Sequence, residues 1–254
     1  MTAIIIALVV SACIFAGGLF GLLLHRVLPE RHLTKETADV VRLATGMLSV
    51  LASLVLGLLV ATVKTSYDTT DHSIRGYAAN LILLHETLRD YGKDAAAQPL
   101  DFLRRYTERV MADNWPASGD PPPFHEDRAA GTILEHVREA IRALRPVDAG
   151  QKWLQDQALQ INNSLLQQRW LLIEQAGPTI HPIVVVILVC WITLIFISFG
   201  LNAPRNALVV VSLLLSALAI GGALFLIIEM DRPFDGVLKI SSRPMTNALE
   251  HMRE

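Results

Sequence analysis

Three hydroxyls at one-turn intervals, Thr45, Ser49 and Ser53, are the groups in this chain best placed to handle a solute. In helical register they share a face with Leu56 and Val60, and Lys64 follows one turn on. A column of hydroxyls offers oxygens to a partly dehydrated ion. Leu56 and Val60 would then form an apolar constriction one to two turns deeper, able to gate by dewetting, and Lys64 would add a positive ring suited to anions. Asp68 and Asp71 lie close behind and weaken that positive field. The same stripe has a second use. Ser49, Ser53 and Gly57 make a small-xxx-small ladder with Gly46 nearby, the pattern that lets membrane helices approach closely. At this point pore lining and helix packing both stand.

Other chemistry is thin. No GxSxG, Walker, GxGxxG or CxxC pattern occurs, so no nucleophile, base and metal constellation can be assembled and no enzyme is expected. Cys13 and Cys190 fall inside apolar runs and read as small hydrophobes. His85-Glu86 has no second histidine at the local spacing zinc requires, and no histidine is assigned a site; neither metal nor cofactor is expected. Arg169 reads as a salt-bridge residue of a folded domain or a headgroup contact. A net charge of -2 supplies no basic face for nucleic acid.

The stripe must be carried by a membrane helix. Hydrophobic residues make up 52% of the 254 and mean hydropathy is +0.41, too apolar for an ordinary soluble domain. The excess sits in four runs, 2–24, 43–63, 180–200 and 206–228, each at or above the roughly 20 residues that span a bilayer. None contains Asp, Glu, Lys or Arg, which argues against proton-coupled transport. The first run lacks a basic leader and continues past Cys13, so it is expected to stay as a span. The sequence thus predicts an all-α integral membrane protein: a first transmembrane pair in 1–63, a helical extramembrane domain in 64–179 between helices two and three, a second pair in 180–228, and a tail in 229–254.

Within 64–179 the apolar spacing is helical on both sides of a linker at 116–127. Ile74, Tyr77, Leu81, Leu84 and Leu88 extend the second helix toward Tyr91, with Gly92 as its stop. Pro99 opens the next helix, which reaches Trp115. Residues 116–127 are a Pro-rich linker. Leu134, Val137, Ile141 and Leu144 mark another helix, and Asp148 caps a long one running to Gln175. The loop 201–205 makes the last two spans a tight antiparallel hairpin. Seventeen Lys and Arg fall on the side of the domain and tail against five on the other, which favours a cytoplasmic domain and termini.

Past the fourth run the chain reads Glu229-Met230-Asp231-Arg232-Pro233-Phe234-Asp235-Gly236 and then Ile240-Ser241-Ser242-Arg243-Pro244-Met245. This D-R-P-F-x-G junction and its S-x-P-M element, closing a two-span, helical-domain, two-span layout, resemble the bestrophin-like family of bacterial membrane proteins. That resemblance implies kinship to bestrophins, pentameric anion channels whose second transmembrane helix lines the pore. It also implies a homo-oligomer in the bacterial inner membrane, a bilayer and small inorganic ions as partners, and a cytosolic domain and tail. Asp231, Arg232, Pro233, Phe234 and Gly236 become candidates for a gating junction. In the simpler reading, proline stops the fourth helix and Phe234 anchors at the interface. Glu229, Asp231 and Asp235 fall short of the six to eight oxygens calcium takes, so no calcium clasp is expected. The alternative function is a non-conducting membrane scaffold whose helical domain binds a protein partner.

Overall fold

The computed structural model describes residues 2–24, 35–115, 128–234 and 237–253. Eight helices account for the regular structure among them: α1 (Thr2–Leu24), α2 (Lys35–Tyr91), α3 (Ala97–Asn114), α4 (Arg128–Ala143), α5 (Ala149–Gln175), α6 (Pro182–Asn202), α7 (Ala207–Met230) and α8 (Arg243–His251). Helices α1, α2, α6 and α7 are long and apolar enough to cross a membrane. The Pro-rich linker at 116–127 and Gly236 lie outside the described residues.

Local chemistry explains the boundaries. Proline at the start of α6 and α8 fits the first helical turn, where no backbone donor is lost. Asp148 caps α5 by accepting the Gln151 N–H at 2.7 Å, and Asn206 caps α7 by accepting the Val209 N–H at 2.8 Å. Gly92 ends α2 with φ +134, a conformation that favours glycine. The expected extension of α2 to Tyr91 is therefore present as one uninterrupted helix of 57 residues.

The chain folds as two compact units, Met1–Thr65 with Pro178–Asp231, and Ser66–Gly177 with Arg232–Glu254. In the first unit α1 makes the close helix approaches, to α6 and to α7. Glycines permit them. A Cβ on Gly17 would stand 2.7 Å from the Thr193 methyl, and one on Gly21 would collide with the Ile197 carbonyl oxygen. Across the other contact a Cβ on Gly221 would strike the Ser11 hydroxyl. Small-residue packing of this kind is the usual source of close approach where lipid removes any hydrophobic drive between helices. Helix α1 thus packs closely against both α6 and α7.

The second unit is an ordinary hydrophobic core. Leu81, Leu84, Leu103, Leu134, Val137, Ile141 and Leu165 are completely buried, and removal of each from water contributes about 2 kcal/mol. The C-terminal segment belongs here: Phe234, Ile240, Met245, Ala248 and Met252 join the same core. The sequence reading treats 229–254 as a tail and assigns it no helix, whereas 243–251 forms α8, whose Met245 and Ala248 are fully covered.

Candidate functional site

The striped stretch of α2 turns one edge into its own unit and leaves the rest outside. Ala52, Leu59 and Val63 are buried and point inward. Gly46, Ser53, Gly57, Val60 and Lys64 are exposed and share one arc at helical spacing. A Cβ on Gly46 or Gly57 would meet nothing within 4 Å. Within the chain, then, Gly46 and Gly57 of α2 are not in a packing seam, and the closely packed glycines among the described residues of this unit lie on α1, α6 and α7.

Thr45 and Ser49 sit at the border. The Thr45 hydroxyl lies 2.8 Å from the Val41 carbonyl oxygen and 2.7 Å from the Ser198 Oγ on α6, so it ties α2 to α6. Ser49 donates to the Thr45 carbonyl at 2.8 Å, a bond within its own helix that spends its only proton. Ser49, Ser53 and Leu56 line a cavity of about 640 Å³ with Phe196 and Phe199 of α6 and Ser212 and Ser216 of α7. Its walls are apolar apart from the paired serines. Of the stripe residues, therefore, Thr45 faces α6, Ser49, Ser53 and Leu56 face this cavity, and Val60 and Lys64 lie further along the exposed arc.

The residues after α7 divide between two roles. Asp231 accepts the backbone N–H groups of Thr179 at 2.9 Å and Ile180 at 3.2 Å, satisfying donors that precede the first turn of α6. The end of the fourth span is thereby fastened to the start of the third. Pro233 and Phe234 are buried in the second unit, not placed at an interface. Phe234 packs edge-to-face on Trp115, ring centroids 6.1 Å apart, and the Trp115 indole donates to the Ile240 carbonyl at 3.0 Å. The Ile240 N–H in turn donates to the Pro233 carbonyl at 2.9 Å, closing the turn. Phe234 is thus a core residue at the end of α3, which replaces the anchoring role expected from sequence. Arg232 is exposed, and Gly236 is outside the described residues.

Two polar groupings in the second unit have no counterpart in the local motifs. The Tyr77 and Tyr106 hydroxyls are buried and hydrogen-bonded to one another beside Arg169, itself only 5% exposed. Burial raises the Tyr106 phenol above its usual range, while Arg169 and Tyr77 pull the other way. Arg169 is thus a buried residue of the helical unit, not a headgroup contact. The second grouping is His85, Glu86 and His251. His251 Nε2 is 2.8 Å from Glu86 Oε1, and His85 Nδ1 is 3.5 Å from the same oxygen. Local spacing could not reveal this cluster, because 165 residues separate Glu86 from His251.

The fold is all-helical, with four membrane-length helices and a helical unit formed by the middle and end of the chain. Residues 12–245 match the Bestrophin-like domain family, and the chain belongs to that family. No curated protein and no solved structure matches it.

Proposed function

We propose that the protein is an oligomeric membrane channel for small inorganic ions, anions foremost, with its conduction path along the exposed arc of α2. One observation carries this reading. The membrane stretch of α2 is the least buried of the four, 17% against 28–39%, and it turns Gly46, Ser53, Gly57, Val60 and Lys64 outward. A single helix cannot enclose a pore, so a ring of copies must supply the remaining walls. Family membership supports the same arrangement, since bestrophins are pentameric anion channels lined by their second helix.

In such a ring the residues of the stripe take different parts. Thr45 holds α2 against α6 and keeps the lining helix in place. Ser49 presents lone pairs only while its proton stays on the Thr45 carbonyl, so hydrogen-bond donation to an anion falls to Ser53 and Lys64. Val60 supplies the apolar constriction on the arc, with Leu56 at its edge beside the cavity against α6 and α7. The helical unit and both termini lie in the cytoplasm, with the spans in the bacterial inner membrane. Native mass spectrometry in mild detergent tests the requirement for a ring: a closed oligomer is expected, and a monomer at all detergent conditions that preserve the fold would overturn the reading.

A further inference from the structure

We propose that His85, Glu86 and His251 form a binding site for a divalent ion of the zinc class, fastening α8 to the extension of α2 inside the helical unit. The three residues offer two imidazole nitrogens and a carboxylate oxygen, all within 4.8 Å of one another. Two histidines and one carboxylate are a recognised ligand set for zinc, whose bonds to nitrogen and oxygen are about 2.0–2.2 Å. Two ligands around a tetrahedral zinc stand about 3.4 Å apart on those bond lengths. The 3.5 Å between His85 Nδ1 and Glu86 Oε1 has that spacing. His251 Nε2, now 2.8 Å from Glu86 Oε1, reaches it by moving outward about half an ångström.

The His85 nitrogen supplies the second, independent observation. Its side chain is nine-tenths buried, and Nδ1 makes no hydrogen bond among the described residues. Its nearest polar partner is the Glu86 carboxylate at 3.5 Å, at the outer limit of hydrogen-bond length and so a weak contact. A buried imidazole nitrogen held only by so long a contact keeps part of its desolvation cost, which a bound ion taking its lone pair would relieve. A metal between the two rings does so. The rings already stand edge-on, 6.1 Å apart and at 74°, and converge on the same carboxylate oxygen. Arg89 holds the other oxygen, Glu86 Oε2, at 2.7 Å, which fixes the carboxylate with Oε1 turned to the histidines. Glu86 and His251 keep part of their surface exposed, so an ion can enter from solvent and a water can complete the fourth position. With two imidazoles among three ligands the site suits zinc, cobalt, nickel or copper over calcium or magnesium.

The test uses the tag-free full-length protein in detergent, stripped with chelator and then titrated with zinc chloride by calorimetry and with cobalt chloride by visible absorption. One ion per chain is expected, with cobalt giving the intense bands of a tetrahedral nitrogen and oxygen site. Glu86→Gln keeps the shape of the side chain and His251→Ala trims an exposed one; each is expected to weaken zinc binding by about 100-fold or more and to remove the cobalt bands. His72→Ala, a change at an exposed histidine outside the cluster, leaves both signals intact. Circular dichroism of each variant checks that it folds. The proposal is overturned if the wild type takes up no zinc, if the cobalt bands are absent, or if folded Glu86→Gln binds zinc as tightly as the wild type.

Discussion

The Thr45 hydroxyl on α2 lies 2.7 Å from the Ser198 hydroxyl on α6. In a helix that otherwise turns most of its membrane surface away from the chain, this bond sets which arc of α2 is free and which is held. A double-mutant cycle measures it. Thr45→Val and Ser198→Ala are expected to couple by about 0.6 kcal/mol in a detergent unfolding assay, the usual scale for hydrogen bonds between membrane helices. Strict additivity of the two changes would mean the bond holds nothing.

Glycines on different helices should respond differently to the same substitution. Gly21→Ala drives a methyl into the Ile197 carbonyl and is expected to cost 1–3 kcal/mol, roughly the range for overpacking. Gly57→Ala meets nothing in the chain and should leave protomer stability within about 0.5 kcal/mol, the scale of a harmless surface change. Equal losses at both positions, read from thermal unfolding, would contradict the assignment of α1 as the packing helix.

Asp231→Ala removes the acceptor for the Thr179 and Ile180 N–H groups. A loss of about 1–3 kcal/mol is expected, since unsatisfied donors retain their desolvation cost. Asp231→Asn keeps an acceptor oxygen and should recover part of it. The two variants compared by chemical unfolding separate capping from charge.

Tyr106 predicts a pH dependence. Its folded pKa is raised by burial above the unfolded value near 10, so the stability it contributes is complete below about pH 10 and is lost as pH rises past it. Tyr106→Phe strands the Tyr77 hydroxyl and is expected to cost about 1–2 kcal/mol at pH 8. The gap between wild type and Tyr106→Phe should narrow between pH 9 and 11. A gap that widens over that interval would reverse the assigned sign.

Much of this architecture is legible in the sequence because its helices alternate in polarity. Leu134, Val137 and Ile141 sit at helical spacing and all are fully buried, and Asp148 and Gly92 mark their helix ends by side-chain and backbone chemistry that needs no tertiary context. The membrane helices are less transparent. The apolar α1 carries no polarity contrast to say which face is inside, and the hydroxyl stripe of α2 suits packing and pore lining alike, so Gly17 and Gly21 on α1 look no different from Gly46 and Gly57 on α2, although only the former are closely packed. Phe234 after a proline reads as an interfacial anchor until Trp115 is found against it, 119 positions earlier in the chain. Helix α8 has nine residues and is held by the core of its unit, too short for a periodic signal to stand out. His251 joins His85 and Glu86 only through that helix.

If α2 lines an anion path, Lys64 contributes to its selectivity. Lys64→Glu replaces a positive ring by a negative one and should shift the reversal potential of the reconstituted protein toward that of the cation gradient. An unchanged potential would take Lys64 out of the path while leaving the other lining residues to be judged separately.

The most direct measurement is ion flux through the purified protein in liposomes, compared between wild type and Ser53→Trp. Ser53 is exposed on α2 and borders the cavity against α6 and α7, so folding and assembly of the variant are checked first, and an indole there would fill a pore that the arc encloses. The account predicts flux from the wild type and its near-complete loss in the folded, assembled variant. Absence of flux from an intact wild-type oligomer would contradict the channel itself and favour a scaffold, and full flux with tryptophan at that position would contradict the placement of the pore on this face of α2.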